Sequence, residues 1–375
     1  MRVVPRGFAM PLPASRTRRN RASTASRALV LALGATLWGA IPSLADCPPP
    51  PAPVRNLEIP RYYADTSNSV VDPEKLDAAR EATSPLTEFV GTVAKQADAA
   101  ILKDKLPGRL TGARCTLAWL SHWAKGAAYL GRMSDRQSEY QRKWDLAGLA
   151  LAYLKVKRHA SDADKRAIEP WLDAMAIRAR AFFDDRARQR NNHWYWLGLG
   201  LGATALATGN DKHWAEARAI MADAARDIAA DGTLPLEMKR GARALHYHAF
   251  SVQPLVALAE LARAKDEDFY ALERGALHRL VSLTARALES PTIMDRLANI
   301  KQERPVKPGA GWAYLYARRF PGRDAKAIAA VEAEQKRGHR WLGGSTEALA
   351  KAVDLMARPG GKPEATRPKV LQMLR

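Results

Sequence analysis

From Lys75 to Met356 the chain offers no stretch in which apolar and polar residues alternate over the length of a strand. A half-buried sheet needs that period of two, so this stretch is committed to helix. Ala, Leu, Arg and Glu dominate it, residue types that lose little freedom in a helical backbone. Leu146, Leu149, Ala150, Tyr153 and Leu154 recur at offsets of 0, 3, 4, 7 and 8, one apolar face of a helix. A second face runs through Leu255, Leu258, Ala259 and Ala262 behind Pro254, which reads as a first-turn proline. Breaks such as Thr208-Gly209-Asn210-Asp211 and Pro305-Val306-Lys307-Pro308-Gly309 separate roughly ten to twelve helices. No linker or composition shift divides residues 75–356, and no repeat family shows its fixed period. The reading is a single all-α domain, either an α-solenoid or a toroid of helical hairpins.

The charge of the 375-residue chain is +20, which points toward polyanions. Part of it is targeting sequence. Residues 1–27 carry seven Arg and no acid, Ala28 to Ile41 is apolar, and Ser43-Leu44-Ala45 follows. That order describes a secretory signal peptide cleaved after Ala45. The apolar run is shorter than the ~20 residues of a membrane span, which argues against a stable anchor. Asp46 before Cys47 disfavours a lipoprotein. The mature chain keeps 52 basic against 39 acidic residues, a net of +13. Export to the periplasm makes nucleic acid a poor partner and places Cys47 and Cys115 in an oxidising compartment, as one disulfide or as two buried thiols. Residues 46–60 are a Pro-rich lead-in, 61–73 a polar loop, and 357–375 a basic tail.

Two clusters stand out chemically. Asn191-Asn192-His193-Trp194-Tyr195-Trp196 opens a helical segment. Capping accounts for one Asn; the second Asn, the His and the Trp side chains suit a sugar site, with Trp194 and Trp196 as stacking surfaces. In Lys239 to His248, Arg240 and Tyr247 share a helical face two turns apart, and a nearby cation favours the phenolate. Three patterns fall away. Gly198-Leu199-Gly200-Leu201-Gly202-Ala203 follows no strand, so its small residues let helices approach instead of binding a dinucleotide. His246 and His248 point apart on a helix, so they make no metal pair. No Ser/His/Asp order can be singled out.

These blocks give the chain a family resemblance. Cys115 to Trp123, Arg142-Lys143-Trp144, Asn191 to Trp196, Lys239 to His248, Gln253-Pro254-Leu255 and Leu342-Gly343-Gly344 together resemble the periplasmic alginate lyases, polysaccharide lyases that cleave poly-β-D-mannuronate. The resemblance implies an incomplete (α/α) toroid over residues 74–356 with a central cleft, no metal and no cofactor. It implies that Asn192, His193 and Arg240 neutralise a uronate carboxylate and that Tyr247 moves the proton in β-elimination. It further implies a lid carrying Tyr62 and Tyr63, and substrate contacts from Arg142 and Lys143. Arg340 stands one place before the position at which relatives carry Arg ahead of Leu-Gly-Gly; here that position is Trp341. The expected partner is alginate or another acidic polysaccharide, and the expected state a monomer. Two alternatives are a lyase of glucuronan or hyaluronan, and a toroid that binds such polymers without cleaving them.

Overall fold

The computed structural model describes residues 47–65, 70–184, 191–303, 311–334 and 338–357, all within one compact unit. The signal segment, the tail beyond 357 and the Pro305–Gly309 break lie outside the described residues. Among those described, thirteen α-helices follow one another: α1 (Pro73–Leu102), α2 (Leu106–Lys125), α3 (Arg136–Val156), α4 (Asp162–Phe182), α5 (Asn192–Thr208), α6 (Asp211–Asp227), α7 (Pro235–Met238), α8 (Ala244–Ala262), α9 (Ala276–Glu289), α10 (Thr292–Ala298), α11 (Gly311–Arg319), α12 (Ala325–Glu334) and α13 (Thr346–Met356). Two short strands, β1 (Gly338–His339) and β2 (Gly344–Ser345), pair antiparallel across the Leu342-Gly343 turn. No described helix is long and apolar enough to cross a membrane.

The helix boundaries have local causes. Asp72, Asp135, Asn191 and Asn210 each cap a helix by accepting from a backbone N–H one turn in. Ser161 and Asp164 form a reciprocal capping box at the start of α4. Gly209 stops α5 with φ +77, and Asn210 starts α6 immediately after, as the Thr208–Asp211 break predicts. Pro254 departs from expectation. It lies inside α8, which begins at Ala244. An interior proline costs about 3 kcal/mol or more in an exposed helix. Here burial of nearly every residue of α8 offsets that cost and carries the helix through.

The helices form two layers. α3, α5 and α8 are buried almost all round, whereas α4, α6, α9 and α13 bury one face. α3 packs on α1, α4 and α5; α5 packs on α6 and α8; α8 packs on α9 and α11. The arrangement is an incomplete (α/α) toroid, with the buried helices inside. Glycine makes the inner contacts close. A Cβ at Gly198 would lie 2.7 Å from Cγ2 of Ile220, and one at Gly202 would lie 2.5 Å from Cδ1 of Leu258. The Gly-rich run is therefore a helix-packing surface.

The Pro-rich lead-in is fastened to α2. Cys47 is bonded to Cys115, with Cα atoms 5.4 Å apart. The indoles of Trp119 and Trp123 donate to the carbonyls of Pro48 and Pro51, at 2.8 and 2.9 Å. Proline offers no N–H of its own, so these carbonyls take their partners from the helix. The bridge closes a loop with a sequence separation of 68. Replacing Cys115 with Ser is expected to lower unfolding stability by about 2–4 kcal/mol. Denaturant titration of wild type, with and without reductant, should reproduce that loss, and an unchanged midpoint would count against it.

Candidate active site

Site construction begins at the first residue of α5. Asn191 stands outside the helix as its cap, its Oδ1 accepting from the His193 N–H at 3.0 Å. Asn192 is then free for another purpose, and it is fully buried. Its backbone N and its Nδ2 both donate to Oε1 of Glu237, at 2.7 and 3.0 Å. Glu237 sits in α7 and presents Oε2 to Nε of Arg240 at 3.7 Å. Burial pushes the Glu237 carboxyl up, while the Asn192 donors and the Arg240 charge pull it back. One buried carboxylate thus ties the amide of Asn192 to the guanidinium of Arg240.

Arg240 reaches Tyr247 by a route other than the expected one. The two do not share a helix, because Lys239 follows α7 in a turn and Gly241–Arg243 forms a 3-10 turn before α8 starts. That break folds Arg240 back over the first turn of α8, with its guanidinium carbon 4.3 Å from the centre of the Tyr247 ring. Arg243 stacks there too, at 5.2 Å. The expected effect on the phenol is reversed. Burial raises Tyr247 well above the ordinary tyrosine range, and the neighbouring Tyr63 adds to the rise. Arg243 and Arg240 oppose it without overcoming it.

His193 is half-buried, its ring lying flat on Tyr140 at 3.6 Å and its Nδ1 2.9 Å from Nζ of Lys143. Burial, then the charges of Lys143, Arg240 and Arg136, hold it far below its ordinary pKa, so the imidazole is neutral. Tyr63 and Tyr62 arrive from the loop before α1. The Tyr63 hydroxyl is 3.2 Å from that of Tyr247, and Tyr62 accepts from Nε2 of Gln137 at 3.3 Å. The structure brings Asn192, His193, Arg240, Tyr247 and Tyr63 into one connected group.

Other expected contacts are corrected. Trp196 is fully buried among Phe250 and Trp341, and Trp194 is buried with its indole on Asp223. Neither presents a face to a sugar; both belong to the packing of a helix buried on all sides. Arg142 is buried against Glu139 and the Arg178 carbonyl. Lys143 has no exposure and meets His193 instead of solvent. Arg340 lies over Trp341, 4.6 Å from its ring. Besides Tyr62 and Tyr63, partly exposed aromatic rings here are those of Trp341, Phe250 and His246, in ring contact with one another or with Tyr247. His248 turns inward, bonded to Leu234 N–H and the Ala244 carbonyl. Among the described residues no group of three or more His, Cys, Asp or Glu is arranged to hold a metal.

Glu237 and Tyr140 are site residues that motif reading passes over; Arg243 lies inside the Lys239 to His248 block, and Trp341 figures in the sequence only as the place where relatives carry Arg. Glu237 leaves one trace, an acid three residues before Arg240 and two after a helix-starting proline.

A buried phenol beneath two guanidiniums is what the comparisons with known proteins must account for. Residues 57–294 match the family described as Alginate lyase. The chain belongs to the alginate lyase family. It is a polysaccharide lyase by that membership. It is 38% identical over 296 residues to a polysaccharide lyase of Stenotrophomonas maltophilia, covering 78% of this chain and 88% of that one. An alginate lyase of Pseudomonas fluorescens is 30% identical over 282 residues, covering 72% and 74%. Among solved structures, alginate lyase A1-III from Sphingomonas species A1 superposes with a TM-score of 0.68 at 25% identity, covering 81% of this chain and 86% of that one. A complex of an A1-III variant with a tetrasaccharide superposes at 0.70, covering 83% and 88%.

Within this lyase, replacing Glu237 with Ala removes the acceptor of both Asn192 donors and a charge partner of Arg240. The expected cost is about 3 kcal/mol of stability, together with lost turnover. Glu237→Gln, which keeps one acceptor oxygen, should recover more of the stability than of the activity. Equal recovery of both, by thermal unfolding and polymer cleavage, would contradict this account.

Proposed function

We propose that the protein depolymerises mannuronate-rich alginate by β-elimination, with Tyr247 moving the proton and Asn192, His193 and Arg240 facing the uronate carboxylate. One observation carries the reading: a buried phenol lies beneath two guanidiniums, one of which is tied through Glu237 to a buried amide and acts electrostatically on a neutral imidazole. Elimination breaks the C5–H and C4–O bonds of the uronate and forms a C4=C5 double bond. Negative charge collects on the C6 carboxylate meanwhile, so preorganised donors and cations there lower the barrier. The Tyr247 oxygen takes the C5 proton as phenolate and returns a proton to the departing O4 as phenol. In mannuronate both groups leave from one side of the ring, so one residue serves both steps. The remaining +13 charge of the mature chain draws in the polymer. Glucuronan and hyaluronan carry the same carboxylate and form the second reading.

Because burial keeps Tyr247 protonated, more of the active phenolate forms as pH rises. Turnover per unit substrate is therefore expected to climb with pH above neutrality. Ultraviolet absorbance of unsaturated uronate ends should appear with mannuronate polymer and more weakly with guluronate, glucuronate and hyaluronate polymers. Tyr247→Phe should lose at least ~10²-fold in turnover while still binding polymer. No absorbance from folded wild type on any of these polymers would sink the lyase reading.

We further propose that the enzyme acts in the periplasm after cleavage behind Ala45, with the body at 74–356 following the lead-in and lid loop. Sequencing the mature protein from a periplasmic fraction should read Asp46 first. An intact N-terminus in the cytoplasm would contradict it.

A further inference from the structure

Lys143 is the least expected side chain near the site. It has no exposure, and among the described residues its amine meets no carboxylate. Burial of a lysine without a counter-ion is costly, so some other interaction must hold it. Three aromatic rings surround the amine: Trp144 at 4.5 Å, Tyr140 at 4.8 Å and Phe183 at 5.8 Å from Nζ. Among the described residues its one polar contact is Nδ1 of His193, at 2.9 Å.

Two arrangements of protons fit that distance. In one, the amine donates to an unprotonated Nδ1, and the ring carries its proton on Nε2. In the other, Nδ1–H donates to the lone pair of a neutral amine, and Nε2 is left bare. The surroundings decide between them. Aromatic faces attract cations, and the three around the amine favour the ammonium, whose hydrogens point to the rings and to the ring nitrogen and which has no lone pair with which to accept. An ammonium and a neutral amine can both donate, whereas only the neutral amine can accept. The imidazole lies flat on Tyr140, with an interplanar angle of 13°, and a half-turn of the ring in that plane would put Cδ2 against the amine in place of Nδ1 and lose the hydrogen bond.

We propose that Lys143 is a positioning residue that locks His193 as the Nε2–H tautomer. This rests on the lyase reading above and deepens it. A His193 with Nε2 protonated is a donor, suited to the uronate carboxylate, and has no vacant nitrogen with which to take the C5 proton. Proton removal is thereby left to Tyr247, which favours uronates whose C5 proton faces that side. Lys143 is thus a determinant of epimer preference that touches no sugar.

The test uses full-length mature protein and Lys143→Met, which keeps an unbranched side chain one atom shorter and removes its donors. Nitrogen NMR of His193 in substrate-free wild type is expected to show bare Nδ1 and protonated Nε2. Lys143→Met should show a mixture of tautomers, kcat on mannuronate polymer lower by about tenfold or more with KM nearly unchanged, and a raised ratio of guluronate to mannuronate cleavage. A protonated Nδ1 in wild type overturns the proposal without any variant. So does a folded Lys143→Met protein with wild-type tautomer and kcat. Absent lyase activity in wild type would sink the functional reading alone, because the tautomer is read without substrate.

Discussion

The site depends on how closely α5 lies against α6 and α8. At Gly198 and Gly202 the neighbouring side chains, Ile220 and Leu258, occupy space that any Cβ would need. Close packing of this kind leaves the helix no room to slide or rotate. Its first residues, Asn192 and His193, therefore stand at a defined height against α3 and against the turn before α8. Lys143 on α3 and Glu237 in α7 meet them there. An inner layer packed this tightly can hold polar groups within hydrogen-bond distance at its rim, where a looser bundle would let them drift.

Burial at that rim drives ionisable groups toward neutrality. His193 and Lys143 are pushed down, and Tyr247 and Glu237 are pushed up, each chiefly by loss of water. His246 follows, pulled down to about 4 by burial first and by Arg243 and Arg240 second. Arg240 and Arg243 lie over Tyr247, and Glu237 is already engaged by Asn192 and Arg240. Under the proposed elimination, such polarity suits the charge that grows on a uronate and needs little rearrangement at the moment of reaction.

Much of this was legible in the chain. The absence of strand periodicity, the Gly209-Asn210 break and the Asn191 cap are local signals, and each appears where local chemistry puts it. The misreadings were tertiary. Pro254 looks like a helix start because an isolated helix would not tolerate it further in, yet α8 is buried enough to do so. Trp194 and Trp196 look like sugar platforms by composition, but a helix buried all round has no free face to offer. Arg240 and Tyr247 meet as expected, through a chain reversal that no helical spacing describes. Glu237 could not be ranked above other acids in the sequence, because its meaning lies in Asn192, distant along the chain and brought near only by the toroid.

The lead-in shows how a segment outside the helical body enters the chemistry. Cys47, Pro48 and Pro51 are fixed on α2 by the disulfide and two indoles. Further along, Leu57 donates to the Arg132 carbonyl and Ile59 to the Ser138 hydroxyl, so the segment crosses to the start of α3. On the far side of the tyrosine pair, Asp72 caps α1 and its N–H donates to the Tyr62 carbonyl. Tyr62 and Tyr63 therefore project from a loop whose two ends are both held. Fixing the ends shrinks the volume that the loop explores and lowers the entropy lost when Tyr63 reaches Tyr247. The indoles of α2 serve the site by anchoring the proline segment that leads toward the Tyr63 hydroxyl.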